Sequence, residues 1–170
     1  MFFGLRLPAV VLVVAGLVLT AAPSADAQGA RIDFGGMRQD TSLPVEVSAD
    51  QLSVDQTNGN AVFSGNVVVG QGEMRMSAAE VRIEYTQGGG GIDRLHATGG
   101  VTLANATDAA EAREAVYTIA SGEVVMTGDV LLTQGQSAIS GQRLVLNLTS
   151  GTGVMEGRVQ TVFQPGSARN

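Results

Sequence analysis

The 170-residue chain has no cysteine and no lysine, a single histidine, and aromatic residues at only 4% of positions. Without cysteine there can be no disulfide, no thiolate metal site and no cysteine nucleophile. Without lysine there is no Walker A phosphate loop, no Schiff-base chemistry and no lysine general base; all ten basic residues are arginine. The "GGGG" run at 88–91 therefore lacks the lysine of a phosphate loop. The lone histidine, His96, falls on an outward strand position, and no second histidine accompanies it for a zinc site. Asp50, Glu80, Glu84, Glu111, Glu114 and Asp129 sit mostly at outward or turn positions, where a solvated charge explains them, and no base stands ready to activate a serine. The net charge is −6 with no basic cluster, which argues against nucleic acid, whose binding depends on neutralising phosphates. These absences predict no enzyme, no metal and no cofactor.

What is present begins with an N-terminal leader. Arg6 precedes the apolar run "LPAVVLVVAGLVLTAA", and "SADA" supplies a small-x-small cleavage site at Ala25-Asp26-Ala27. The run is a little short of the roughly 20 residues of a spanning helix, so residues 1–27 are expected to be a cleaved secretory signal peptide. The destination is an oxidising, extracytoplasmic space, where a cysteine-free chain must rely on its core.

The body of the chain is a repeat. Residues 63–85 ("FSGNVVVGQGEMRMSAAEVRIEY"), 97–119 ("ATGGVTLANATDAAEAREAVYTI") and 126–148 ("MTGDVLLTQGQSAISGQRLVLNL") align without a gap. Half-copies flank them at 48–55 ("SADQLSVD") and 155–163 ("MEGRVQTVF"), and the glycines in phase are Gly65, Gly99, Gly128 and Gly157. Around each glycine, apolar and polar residues alternate with period two. Ala61, Phe63, Val67 and Val69 interleave with Val62, Ser64, Asn66 and Val68; Val81, Ile83 and Tyr85 interleave with Arg82 and Glu84. This pattern predicts strands with one covered face and one mostly wet face. The Ala/Glu-rich stretch 106–120 has some helical character but aligns with two strand segments, so it too is expected to be strand. Glycine-rich turns separate the units, Asn58-Gly59 being a hairpin signal. The glycine inside each strand predicts a bend, a bulge or a close backbone approach that curves the sheet.

The segment "PVEVSADQLSVDQTNGNAVFSGNVVVGQGEMRMSAAEVRIEY" (44–85) and the later "MTGDVLLTQG" resemble the OstA (LptA-type) family of periplasmic lipopolysaccharide transport proteins, over about Pro44 to Phe163. The resemblance implies an all-β, twisted open β-jelly roll whose apolar interior carries the acyl chains of lipid A. It also implies head-to-tail strand pairing, with an LptC-like inner-membrane partner at one end and an LptD-like outer-membrane translocon at the other. The expected lining is Phe63, Val67, Val69, Val81 and Ile83 from the first copy and Val101, Leu103, Tyr117 and Ile119 from the second. The third adds Met126, Val130, Leu132, Leu144 and Leu146, and the last half-copy Met155 and Val159.

The expected organisation is a signal peptide (1–27), a flexible segment (28–43), the jelly roll (44–164) and a tail (165–170). The expected docking edges are Val45–Val54, with Val45, Val47, Leu52 and Val54, and Val154–Phe163, with Val154, Val159 and Phe163. The competing expectation is that 28–43 or 164–170 cover those edges. Two other functional readings stay open: a membrane-tethered LptC-like component, which would keep its N-terminal segment, and a structural β-repeat protein that binds no lipid.

Overall fold

The computed structural model describes residues 30–33, 37–55, 57 and 59–163; the expected signal peptide, the tail 165–170 and Asn58 lie outside them. Thirteen strands follow in order: β1 (Ala30–Asp33), β2 (Glu46–Ser48), β3 (Gln51–Asp55), β4 (Asn60–Gln71), β5 (Met74–Tyr85), β6 (Ile92–Thr98), β7 (Val101–Ala104), β8 (Asp108–Ala112), β9 (Glu114–Thr118), β10 (Glu123–Gln134), β11 (Ser137–Asn147), β12 (Thr152–Glu156) and β13 (Gln160–Val162). Within residues 106–120, β8 and β9 are strand, as their alignment predicts, with bends and a turn around them. There is no α-helix among the described residues.

All pairings are antiparallel, and they resolve into two stacked layers that share their long strands. One layer runs β3-β4-β5-β6-β9-β10-β11-β12-β1, using the first halves of β4 and β10 and the second halves of β5 and β11. The other runs β2-β4-β5-β7-β8-β10-β11-β13, using the remaining halves. The chain passes between layers along a single line of corners. On β4, the pairing steps from Ser64 to Val67 while β5 steps only from Glu80 to Ala78; β10 does the same between Thr127 and Val130, against Arg143 and Gly141. One extra residue per crossing bends the strand, as a bulge does.

The glycines in phase make these corners. Gly99 has φ +82°, and a Cβ on it would lie 2.5 Å from the Cβ of Ala79. Gly65, Gly128 and Gly157 also have positive φ and lie as tightly beneath Asp50, Arg113 and Gln142. Each is followed by a second left-handed residue, Asn66, Gly100, Asp129 or Arg158. Two consecutive left-handed residues, the first without room for a side chain, select glycine there.

Between the layers lies one continuous core that includes Val67, Met76, Val81, Leu95, Leu103, Leu132, Leu144 and Met155, all fully buried. Tyr85 departs from the expected alternation and is 45% exposed, because the β5–β6 register slips between Glu84 and Tyr85. At roughly 1.5–3 kcal/mol per buried aliphatic side chain, this interior is the main source of the fold's stability.

Candidate functional site

The interior is the candidate site, and the repeat pattern places it. Of the expected lining, Val67, Val69, Val81, Ile83, Val101, Leu103, Tyr117, Met126, Val130, Leu132, Leu144, Leu146 and Met155 are buried in the one core; Phe63, Ile119 and Val159 are half-buried against it. They run across both layers from one end of the stack to the other. Leu95 and Leu148, inward in the same alternation but not named in the lining, are also buried, and so are Met74 and Met76, which the lining left out. Met74 and Met76 were legible: the inward phase of β5 changes at the corner, reading 74, 76, 78 before it and 81, 83 after.

The interior also holds a polar cluster. Gln71 is 1% exposed and Tyr117 fully buried. The Tyr117 hydroxyl donates to Gln71 Oε1 at 2.7 Å, while Gln71 Nε2 donates to the carbonyls of Thr41 (3.0 Å) and Leu43 (2.9 Å). Gln39 Nε2 reaches the same Gln71 oxygen at 3.4 Å. Burial pushes the Tyr117 hydroxyl up to about 12, with the Gln71 contact acting in the opposite sense. Gln71 continues the inward phase of 61, 63, 67 and 69, which is the sequence signal for it.

Residues 37–43 cross the rim of the interior. Met37 is buried in the core; the Gln39 amide donates to the Leu148 carbonyl at 2.8 Å, and the Met74 amide donates to Gln39 Oε1 at 3.2 Å. The Asp40 carboxylate accepts from the Ser42 hydroxyl (2.6 Å) and amide (2.9 Å). Those two bonds hold its pKa below the ordinary carboxylate value. Beneath this crossing, the recess between Met37, Gln39, Met74, Ala104, Asn105 and Leu148 has a free volume of only ≈ 20 Å³. That is room for about one water, not for an acyl chain. A wider hollow of ≈ 550 Å³ opens on the corner side, but Asp129, Ser140, Gln142, Arg158 and Gln160 line it with polar groups.

The two ends of the stack differ. At the N-terminal end, β2 and β3 each pair, among the described residues, only with β4; Leu52 and Val54 are 54% and 60% exposed, and Val45 and Val47 are half-buried. At the C-terminal end, the expectation of an open edge along Val154–Phe163 needs correction. β12 is paired on its outer side by β1, with Val154 opposite Arg31, so in that layer the edge is already taken. Among the described residues β13 pairs only with β11, and its Val162 and the following Phe163 are exposed. The segment 28–43, expected to be flexible, thus supplies both β1 and the crossing at 37–43. No cluster of metal-ligating side chains occurs among the described residues.

Two antiparallel layers joined at glycine corners around one apolar interior make a twisted β-jelly roll. The family model for "LptA/(LptD N-terminal domain) LPS transport protein" matches residues 46–152, and the chain belongs to that family. Its members are transport proteins, and this chain is accordingly not an enzyme. The chain is 30% identical over 111 residues to the lipopolysaccharide export system protein LptA of Escherichia coli (strain K12), spanning 62% of this chain and 60% of that one. It is 27% identical over 172 residues to an uncharacterized protein of Rhizobium meliloti (strain 1021), covering 93% of this chain and 91% of the other. The fold matches the crystal structure of LptH, described as the LptA-homologous periplasmic component of the lipopolysaccharide transport device of Pseudomonas aeruginosa. The TM-score is 0.66 at 20% identity, over 74% of this chain and 99% of that one.

Proposed function

We propose that this chain is a periplasmic lipopolysaccharide carrier that holds lipid A acyl chains between its two layers while the sugars stay in water. The observation that carries the reading is the continuous, in-phase apolar interior of a chain in this family. Moving an acyl chain through water costs about 0.8 kcal/mol per methylene, or on the order of 10 kcal/mol for a dozen carbons. A carrier offsets that cost only with an unbroken apolar lining, and the four glycine corners keep the lining in register from copy to copy. In this reading the exposed β2–β3 edge and, at the other end, β13 accept partner strands, one from an LptC-like inner-membrane protein and the other from an LptD-like translocon, so that copies can bridge head to tail. Export through a cleaved leader at 1–27 belongs to the same proposal. An N-terminus beginning near Gln28, read by mass spectrometry of the exported protein, separates it from an LptC-like tethered component.

The test is a photo-crosslinking phenylalanine analogue at Phe63, half-buried and inward, with a control at Leu131, outward and 39% exposed. With lipopolysaccharide added, crosslinks from position 63 alone are expected. No crosslink from a folded protein at position 63 favours the structural-repeat reading, which the tight interior of this state also suits.

A further inference from the structure

The corners join the two layers along one line, so the opposite rims form a seam. The turns 55–60, 85–92, 118–123 and 147–152 bound it on one layer, and 71–74, 104–108 and 134–137 on the other. Residues 37–43 lie along this seam and touch both rims, through Leu148 on one and Met74 on the other. They run between β1, at the C-terminal end of one layer, and β2, at the N-terminal end of the other, eight strand steps away. Between its described residues, the segment follows the seam.

It is held differently from every other part of the fold. It joins no strand ladder; its carbonyls at Thr41 and Leu43 are fixed by one side chain, Gln71. An interior that had only to be filled would have an aliphatic residue at that position. An amide buried there must find acceptors for both its hydrogens in every state of the protein. The segment supplies two carbonyls; ester- or amide-linked acyl chains carry the same group at the point where chain meets headgroup.

We infer that residues 37–43 are a displaceable strap that occupies the seam in place of lipid, and that an acylated amphiphile enters by removing it, its linkage carbonyls taking the Gln71 amide hydrogens from Thr41 and Leu43. This rests on the carrier reading and adds the gate and the group that recognises the acyl linkage. The small recess under the strap, with room for about one water, is consistent with such a step. Tyr117, donating to Gln71 Oε1, keeps the amide oriented with both hydrogens toward the seam.

Hydrogen exchange on the full chain, as exported, tests the strap directly. On addition of lipopolysaccharide, the amides of Gln39 and Met74 exchange about tenfold faster or more, while Val145 in the β11 ladder is unchanged. Lipid uptake with the Gln39 and Met74 amides as protected as before overturns the proposal. A second measurement uses Gln39→Cys with Leu148→Cys, whose backbones are already bonded. In a chain with no other cysteine, only this pair can close. The oxidised form takes up about tenfold less lipopolysaccharide than the same sample reduced. Equal uptake removes the strap but leaves the carrier reading standing, whereas no uptake by the unaltered chain removes both. For the amide, a diacyl phospholipid is compared with its dialkyl-ether analogue, which has the chains without the carbonyls. The unaltered chain prefers the diacyl lipid about tenfold and Gln71→Leu binds both alike; no preference in the unaltered chain overturns the assignment of Gln71.

Discussion

Gly99→Ala is the sharpest probe of the corner. Its methyl would sit 2.5 Å from Ala79 Cβ, an atom fixed to the backbone that cannot rotate away, and φ is +82°. Placing an L-residue in that region costs about 1–2 kcal/mol, and forcing a methyl into filled space adds about 1–3 kcal/mol. The expected loss is therefore about 2–5 kcal/mol. The neighbour provides the control: Gly100 has φ +87° but nothing within 4 Å of its Cβ position, so Gly100→Ala should lose only the conformational part, about 1–2 kcal/mol. Adding Ala79→Gly to Gly99→Ala should recover the steric part and leave the double variant near Gly100→Ala. Urea unfolding followed by circular dichroism reads all four chains, since there is no tryptophan to report by fluorescence. If Gly100→Ala is as damaging as Gly99→Ala, or Ala79→Gly restores nothing, contact beneath the glycine is not what the corner requires.

Three other outcomes are expected. Leu132, fully buried and registered between Ala110 and Ile139, should lose about 2–5 kcal/mol on truncation to alanine, and a urea midpoint barely changed would show that the interior is not the packed core described. Tyr117 ionises near 12 in the folded chain and near 10.0 when unfolded, so its contribution to stability is whole below pH 10 and is lost as pH rises toward 12. In a Tyr85→Phe background, tyrosinate absorbance should therefore appear only near pH 12 or together with unfolding, and a folded-state titration at the ordinary value would contradict the burial. The Arg143–Glu156 pair, 2.7 Å apart but 43% and 45% exposed, should show a coupling of about 0–1 kcal/mol in a double-mutant cycle.

The layered core was readable because it is written in side chains. Period-two alternation fixed which face of each strand turns inward, and the four glycines in phase marked the corners before any coordinate did. Residues 28–43 left no such trace. β1 is four residues joined to β12 through backbone bonds, and the strap is held mainly by its own amides and carbonyls, groups every residue shares. Val154 shows the consequence: its alternation is that of an edge strand, and nothing in its neighbourhood of the sequence announces that a segment more than a hundred residues earlier sits beside it. Gln71 is the reverse case. Its phase pointed inward, but a polar residue before a turn reads as a strand end until its partners at Thr41, Leu43 and Tyr117 are known.

The corner line has a mechanical meaning as well as a steric one. The two long pairings that run through it, β4–β5 and β10–β11, each break register there, so each is one ladder on one leaf and a second ladder on the other. Each leaf is otherwise a continuous sheet, so the left-handed pairs are where the chain turns from one leaf to the other. The angle between the leaves is therefore fixed by the backbone at four places, where Asn66, Gly100, Asp129 and Arg158 carry positive φ.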